Sequence, residues 1–227
     1  MTNQQLRLNK FLAERLGVSR READELIATG KITIDGNTAN LGARIDISNK
    51  ICYNNETIPF QAEYYYLAFH KPVGYVCSRR AQGKVPTVYK LLPKKYHKLK
   101  TVGRLDKDSS GLILLTNDGD FAFQMTHPKF RKTKVYEVEL DKPLEPLHQQ
   151  MVSEHGVMLE DGPSRFKTIC QPDDKKKCTV VLTEGRNRQI RRTFAALGYE
   201  VVKLHRTQFG KYELNNLPSG KYAIIEP

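Results

Sequence analysis

Acid is scarce in this chain. Against 37 Lys and Arg stand 25 Asp and Glu, a formal net charge of +12 over 227 residues. That balance points to a polyanionic partner, most often a nucleic acid, although a basic enzyme with a solvated surface carries it too. Cysteine is also scarce. Cys52, Cys77, Cys170 and Cys178 form no CxxC pair and have no His at finger spacing beside them. A zinc site, or any other metal site, is therefore not expected, and unpatterned cysteines fit a reducing cytoplasm. No run approaches the roughly 18 apolar residues of a membrane span, and the opening MTNQQLRLNK has no apolar stretch. The chain is expected to be soluble, cytoplasmic and off the membrane. No GxxxxGK[ST] run is present, no GxGxxG follows a strand, and there is no GxSxG. Their absence excludes a P-loop ATPase and leaves no sign of a dinucleotide cofactor or a hydrolase elbow. With no coiled-coil pattern or long apolar stripe, a monomer is expected.

What is present begins with two short helices. Leu8, Phe11, Leu12 and Leu16 recur at helical spacing and Gly17 stops them. Ser19-Arg20-Arg21-Glu22 has the form of a capping box, in which the hydroxyl and the carboxylate satisfy amides at a helix start. Ala23, Leu26 and Ile27 supply that helix with an apolar face and Gly30 ends it. Lys31–Ile34 reads as a strand and Asp35-Gly36 as a hairpin turn. Residues 1–58 thus make a small domain. Arg7, Lys10, Arg15, Arg20, Arg21 and Lys31 crowd onto it with little compensating acid. The cluster is either a solvated face or a surface that grips phosphates.

Pro59 and the polar residues up to 63 read as a linker, and residues 64–227 as a second domain. Its expected strands are Tyr64–His70, Tyr75–Cys77, Lys134–Leu140, Ser164–Ile169, Cys178–Leu182 and Tyr199–Leu204. A helix is expected at Arg188–Leu197. A basic stretch from Arg79 to Lys100 reads as a long loop with a short helix at Thr87–Leu92. Strands outnumber helices and do not alternate as βαβ units. The expected class is α+β, a small N-terminal domain plus a larger one on a mixed, mostly antiparallel sheet.

The stretch from Gly103 to Asp120, GRLDKDSSGLILLTNDGD, is a polar loop that feeds the apolar run Leu112–Leu115 and then turns at Asn117-Asp118-Gly119. It presents Arg104 and Asp106 at the edge of a core strand, the rigid support that suits a catalytic group. A calcium loop beginning at Asp106 fails at its twelfth position, where Asn117 stands in place of a bidentate Glu. From the residues alone, Asp106 either catalyses or merely caps or salt-bridges a turn.

The motifs taken together settle the reading. GRLDKDSSGLILLTNDGD resembles the signature of the ribosomal RNA pseudouridine synthases of the RsuA/RluB type. His70–Gly74 is similar to that family's KPxG turn, and Lys134–Val138 to its K-x-Y-x-V strand. Glu184–Arg192, EGRNRQIRR, and Val202–Arg206, ending K-L-x-R, complete the set in order. The N-terminal RLNKFLAERLGVSRREADELIATGKITIDG resembles an S4-like RNA-binding domain. The resemblance implies roles. Asp106 would be the catalytic carboxylate, and Tyr136 would lie against the target uracil and assist loss of the C5 proton. Arg191 would pair with Asp106 and hold it charged. Arg104 would enter the RNA stack where the target base has left. Leu105 and Leu204 would line the pocket, Leu204 beneath the Tyr136 ring. Arg188 and Arg192, with Arg7, Lys10, Arg20, Arg21 and Lys31, would contact RNA. A helical wheel agrees on Arg191: Ile190, Phe194 and Leu197 share one face, Arg188 and Arg192 the opposite one, and Arg191 lies at the boundary.

The implied reaction breaks the N1–C1′ bond of a uridine, turns the base and rejoins it through C5, with no oxidation and no cofactor. The base must first be flipped from its stack, at a cost of about a few kcal/mol. Whether Asp106 attacks the sugar, attacks the base or removes a sugar proton stays open. The implied partner is ribosomal RNA, as a stem-loop or a pre-ribosomal particle, and not DNA. Gly156–Pro163 looks more like the large-subunit enzymes, which favours 23S over 16S. The rival readings are a non-catalytic S4-type ribosome-assembly factor and an S4-domain methyltransferase. The second would need a glycine-rich methionine-cofactor loop that the sequence does not show.

Overall fold

The computed structural model describes residues 5–61, 63–79 and 83–227. Ala62 of the expected linker and residues 80–82 of the basic stretch lie outside the described residues. The chain divides into two compact units, Met1–Tyr65 with Asn117–Gly119, and Tyr66–Thr116 with Asp120–Pro227.

The first unit opens with α1 (Leu8–Leu16), which ends at Gly17 with φ 71°. A left-handed residue is the usual helix stop, and glycine adopts it without strain. In α2 (Arg20–Ala28) the capping box is complete. The Glu22 amide donates to Ser19 Oγ at 3.1 Å, and the Ser19 amide donates to the Glu22 carboxylate at 2.7 Å. A four-stranded antiparallel sheet follows, β1 (Ile32–Ile34), β2 (Asn37–Thr38), β3 (Ile51–Tyr53) and β4 (Glu56–Thr57), in the order β2-β1-β3-β4. Asp35 and Gly36 both take positive φ in the β1–β2 turn, matching the twist of a two-residue hairpin. Leu8, Phe11, Leu12, Ala23, Ile27 and Ile32 fill the core between helices and sheet.

The second unit is built on nine strands: β5 (Tyr66–Lys71), β6 (Lys100–Val102), β7 (Ser110–Thr116), β8 (Lys134–Leu140), β11 (Lys167–Cys170), β12 (Lys177–Leu182), β13 (Val201–Phe209), β14 (Tyr212–Glu213) and β15 (Tyr222–Ile224). Their order is β11-β12-β8-β13-β7-β5-β15, with β14 on β13 and β6 on β7. Only β13 and β7 run parallel, so the sheet is mixed and mostly antiparallel. Between β8 and β11 come α4 (Pro146–Gln150) and the hairpin β9 (Val157–Leu159) and β10 (Gly162–Ser164). The helices α3 (Gly119–Thr126) and α5 (Gln189–Ala196) follow β7 and precede β13.

Several local expectations shift. The strand expected at Ser164–Ile169 is two strands separated by Arg165-Phe166. Residues 75–77 form no strand; Val76 makes a single bridge to Thr87. The helix expected at Thr87–Leu92 is one 3₁₀ turn, Val88–Leu91. Two cysteines prove to be patterned. The β11–β12 register sets Cys170 opposite Cys178, and a disulfide joins them. Pairing of this kind is set by strand register and cannot be read from spacing alone. Among the described residues no helix is long and apolar enough to cross a membrane.

Candidate active site

Asp106 sits in the loop before β7. Glycine is required at both ends of that loop. Gly103 has φ 73°, and Gly111 has φ 109° with no room for a side chain, since a Cβ there would stand 2.2 Å from the Arg206 carbonyl oxygen. The close approach is what lets β7 lie parallel to β13, Gly111 against Arg206. The loop is held from below. The Lys71 ammonium, with no exposed surface, donates to Ser109 O at 2.6 Å and Pro72 O at 3.0 Å. The Gly74 amide donates to Lys107 O at 2.8 Å and the Ser109 amide to Asp106 O at 3.1 Å. Burial draws the Lys71 pKa below its ordinary value. So the KPxG turn of the sequence is the platform beneath the Asp106 loop. The Leu105 amide donates to Cys77 Sγ at 3.4 Å, and burial pushes that thiol up.

Asp106 opens onto a cavity of about 330 Å³. One wall is the face of β8 and β13. In that register Tyr136 stands opposite Arg206 and Val138 opposite Leu204. Side chains two apart share a strand face, so Lys134 and Tyr136 lie beside Leu204 and Arg206. The facing wall is the loop Glu184–Arg188 and the start of α5. Of the residues singled out in sequence, Arg104, Leu105, Asp106, Tyr136, Arg188 and Leu204 all line this cavity. Tyr136, Leu105 and Leu204 are buried, and Arg104 is exposed at the rim.

The arginines are distributed differently from expectation. Asp106 pairs with Arg188, at 3.5 Å, and not with Arg191. Arg188 also makes two hydrogen bonds of 3.2 Å to the Asp108 carboxylate. Arg191 donates to Asp108 O at 2.9 Å and to Val201 O at 2.6 Å, with its Nε 3.5 Å from Asp108 Oδ2. The wheel misplaced Arg188 because α5 begins one residue later. Arg188 is the N-cap, with φ 45° and ψ 33°, so its side chain leaves the helix surface and turns to the loop. Asp108 therefore bridges the two arginines. Burial alone would raise its carboxyl, but the Arg188 hydrogen bonds and the Arg191 charge outweigh that and hold it below its ordinary value. Arg192, expected to contact RNA, is partly exposed and paired within the chain. It makes a two-toothed pair with Asp161 at 3.0 and 2.8 Å, and Arg186 joins the same carboxylate at 3.1 Å. This carboxylate, at the β9–β10 turn, ties that hairpin to the cavity loop. Leu204 lies two pairs along from Tyr136, opposite Val138; the residue directly across from the tyrosine is Arg206.

In the first unit Arg7, Arg20, Arg21 and Lys31 are exposed and Lys10 is half-buried. Lys71, Lys134 and Arg206 stand within the sequence motifs, which assign them no role. Their signal was a charge inside a strand of otherwise apolar pattern. Arg206 is 2% exposed; its Nε donates to Leu112 O at 2.7 Å and its Nη1 lies 3.4 Å from the Tyr136 hydroxyl. Among the described residues no three His, Cys, Asp or Glu side chains come together to hold a metal ion.

Comparison with known proteins bears on this geometry. Residues 65–196 match the model of the RNA pseudouridylate synthase family, and residues 6–51 match the S4 domain. The chain is 38% identical over 225 residues to a ribosomal small subunit pseudouridine synthase A of Pasteurella multocida, covering 97% of this chain and 96% of that protein. It is 35% identical over 230 residues to a ribosomal large subunit pseudouridine synthase B of Bacillus subtilis, covering 97% and 92%. A solved structure described as a pseudouridylate synthase superposes with a TM-score of 0.70 at 34% identity, covering 97% of this chain and 96% of that one.

Proposed function

The chain belongs to the RNA pseudouridylate synthase family, with an S4 domain at its N-terminus, and we propose that it converts a specific uridine of ribosomal RNA to pseudouridine with Asp106 as the catalytic carboxylate. The observation that carries the reading is the placement of Asp106, fixed by a glycine-flanked loop, on a cavity walled by Tyr136 and roofed by the Glu184–Arg188 loop.

The residues suit the reaction. The cavity takes the flipped base and retains it while it is detached. Arg188 meets the Asp106 carboxylate, and Asp108 with Arg191 holds Arg188 in place. Tyr136 faces the ring and assists loss of the C5 proton. Arg104, exposed at the rim, is placed to fill the gap in the RNA stack, and its contact would offset part of the cost of flipping. Arg7, Lys10, Arg20, Arg21 and Lys31 supply phosphate contacts, with Arg192 held in reserve on Asp161. No cofactor is called for. The protein acts as a cytoplasmic monomer of two domains, 1–58 and 64–227.

We favour 23S rRNA, on the likeness of Gly156–Pro163 to the large-subunit enzymes. A 16S target is the second reading, favoured by the 38% identity to the small-subunit enzyme of P. multocida. Mapping pseudouridines by carbodiimide-blocked primer extension separates them. The comparison is wild type, a deletion strain, and the deletion complemented with Asp106→Asn. One site lost on deletion and not restored by Asp106→Asn is expected, and its position names the subunit. An unchanged rRNA map would remove rRNA as the substrate.

A further inference from the structure

The inner end of the cavity is cationic, and nothing in the reading above uses it. Lys134 lies on β8 two residues from Tyr136, on the same face and against the cavity. Its ammonium donates to Glu184 O at 3.1 Å and sits 5.4 Å from the centre of the Phe209 ring. A Cβ on Gly185 would lie 3.5 Å from its Nζ, an ordinary contact, so the loop passes beside the amine. Behind it is Arg206. Its guanidinium, almost wholly buried, makes no carboxylate pair among the described residues, and its Nη2 has no partner. A guanidinium cannot shed its charge. Burying an unpaired one is costly unless something else offsets it. Asp106, the nearest catalytic acid, is already matched by Arg188. The cavity thus has the Asp106 carboxylate matched at one end; at the other, the one carboxylate among the described residues that faces Lys134 and Arg206 is Glu184, which Arg186 also approaches to 4.0 Å, leaving a net positive charge.

An anion that forms only during the reaction would answer it. We propose that Lys134 is a further catalytic residue, donating to a carbonyl oxygen of the target uracil and stabilising the negative charge the ring carries while detached, with Arg206 as the fixed charge behind it. The inference rests on the proposed uridine isomerisation. When the N1–C1′ bond breaks, its electron pair goes to the ring, and the charge spreads over N1, O2 and O4. The new C1′–C5 bond takes a ring electron pair, C5 gives its proton to a base, and N1 gains one. No oxidant or co-reactant enters. A positive group already in place acts on this charge without reorganising, which is the efficient form of electrostatic catalysis.

The charge state of Lys134 supplies a readout. Burial, then the like charge of Arg206, draws its pKa from 10.5 to about 8, against an opposing pull from Glu184. The groups that face it are Arg206 on β13, Glu184 and Arg186 on the loop after β12, Tyr136 on its own strand, and Asp106 across the cavity. An arginine at position 134 would keep its charge to far higher pH.

The experiment uses the full chain and C5-tritiated rRNA transcripts of both subunits, with single-turnover tritium release at saturating enzyme. Lys134→Met should slow release by about 10²- to 10³-fold, the range seen when one donor to a developing anion is removed. Its affinity for the RNA should stay within about twofold, since phosphate contacts dominate binding. The wild-type rate should fall about tenfold between pH 7 and 9 as the amine loses its proton. Lys134→Arg should keep at least about a tenth of the rate and lose that fall. A Lys134→Met rate within about threefold of wild type would overturn the proposal, as would equal pH profiles for wild type and Lys134→Arg. If Lys134→Met does not fold, the pH profiles alone decide. Wild-type protein that releases no tritium from either transcript would instead sink the uridine-isomerase reading on which the inference stands.

Discussion

At the scale of single residues, the site is a set of charges whose partners the sequence could not assign. Arg188 and Arg191 are three apart, and the motif that contains both does not say which meets Asp106. The left-handed backbone at Arg188 decides it. Arg188→Ala removes the ion pair that orients Asp106, so tritium release should fall by about tenfold or more, the order of loss expected when a catalytic group is mispositioned. Arg192→Ala, which removes hydrogen bonds to Asp161 and the Asn187 carbonyl, should leave single-turnover rates within about threefold of wild type. Equal losses in the two variants would contradict the observed pairing. Lys134 makes a separate prediction about stability. Its folded pKa, about 8, lies below the unfolded value of 10.5. Between those limits the unfolded chain binds more protons, so this residue makes unfolding free energy rise with pH. Lys134→Met should flatten that rise. Denaturant titrations from pH 7.5 to 10.5 would show it as wild-type stability rising relative to the variant's, and a difference constant with pH would refute it.

At the scale of elements, the helices and hairpins of the first unit follow from local rules. The Ser19 capping box formed as its residues require, so Ser19→Ala should cost about 1 kcal/mol in urea unfolding of that unit. A cost near zero would mean the cap contributes nothing. The second unit depends instead on a long-range contact. Gly111 lets β7 approach β13, and an alanine there would be driven into the Arg206 backbone, with atoms at 2.2, 2.5 and 2.8 Å. It would also force an L side chain onto φ 109°. Gly111→Ala should therefore destabilise by more than about 4 kcal/mol or abolish soluble protein, as judged by thermal unfolding. Mild destabilisation would mean that the strands can part without harm. The signature motif contains Gly111, but nothing in the sequence assigned it a role. Its reason is a strand whose sequence lies some 95 residues away, since it is paired with Arg206.

For the whole molecule, charge is the property that carries furthest from composition to behaviour. A chain of net charge +12 that binds RNA through Lys and Arg should lose affinity steeply with salt. Removing Arg20 and Arg21 together should lessen the log–log slope by about 1.4 to 1.8, two phosphate contacts' worth. Filter binding at a series of salt concentrations measures it, and an unchanged slope would return those arginines to a solvated face. By itself the sequence determined the mixed, mostly antiparallel sheet, the N-terminal helices with their caps, the loop that presents Asp106, and the family. Each of these rests on local patterns: apolar period, turn glycines, capping residues and motif order, all of which act over a few residues. Tertiary structure alone decided the ion pairs of Asp106 and Asp108, the Asp161 tie to Arg186 and Arg192, the Cys170–Cys178 bond, and the cationic inner wall of Lys134 and Arg206. Those depend on strand register and on which side chains reach across a cavity, and register is a property of paired strands that no single stretch of chain contains.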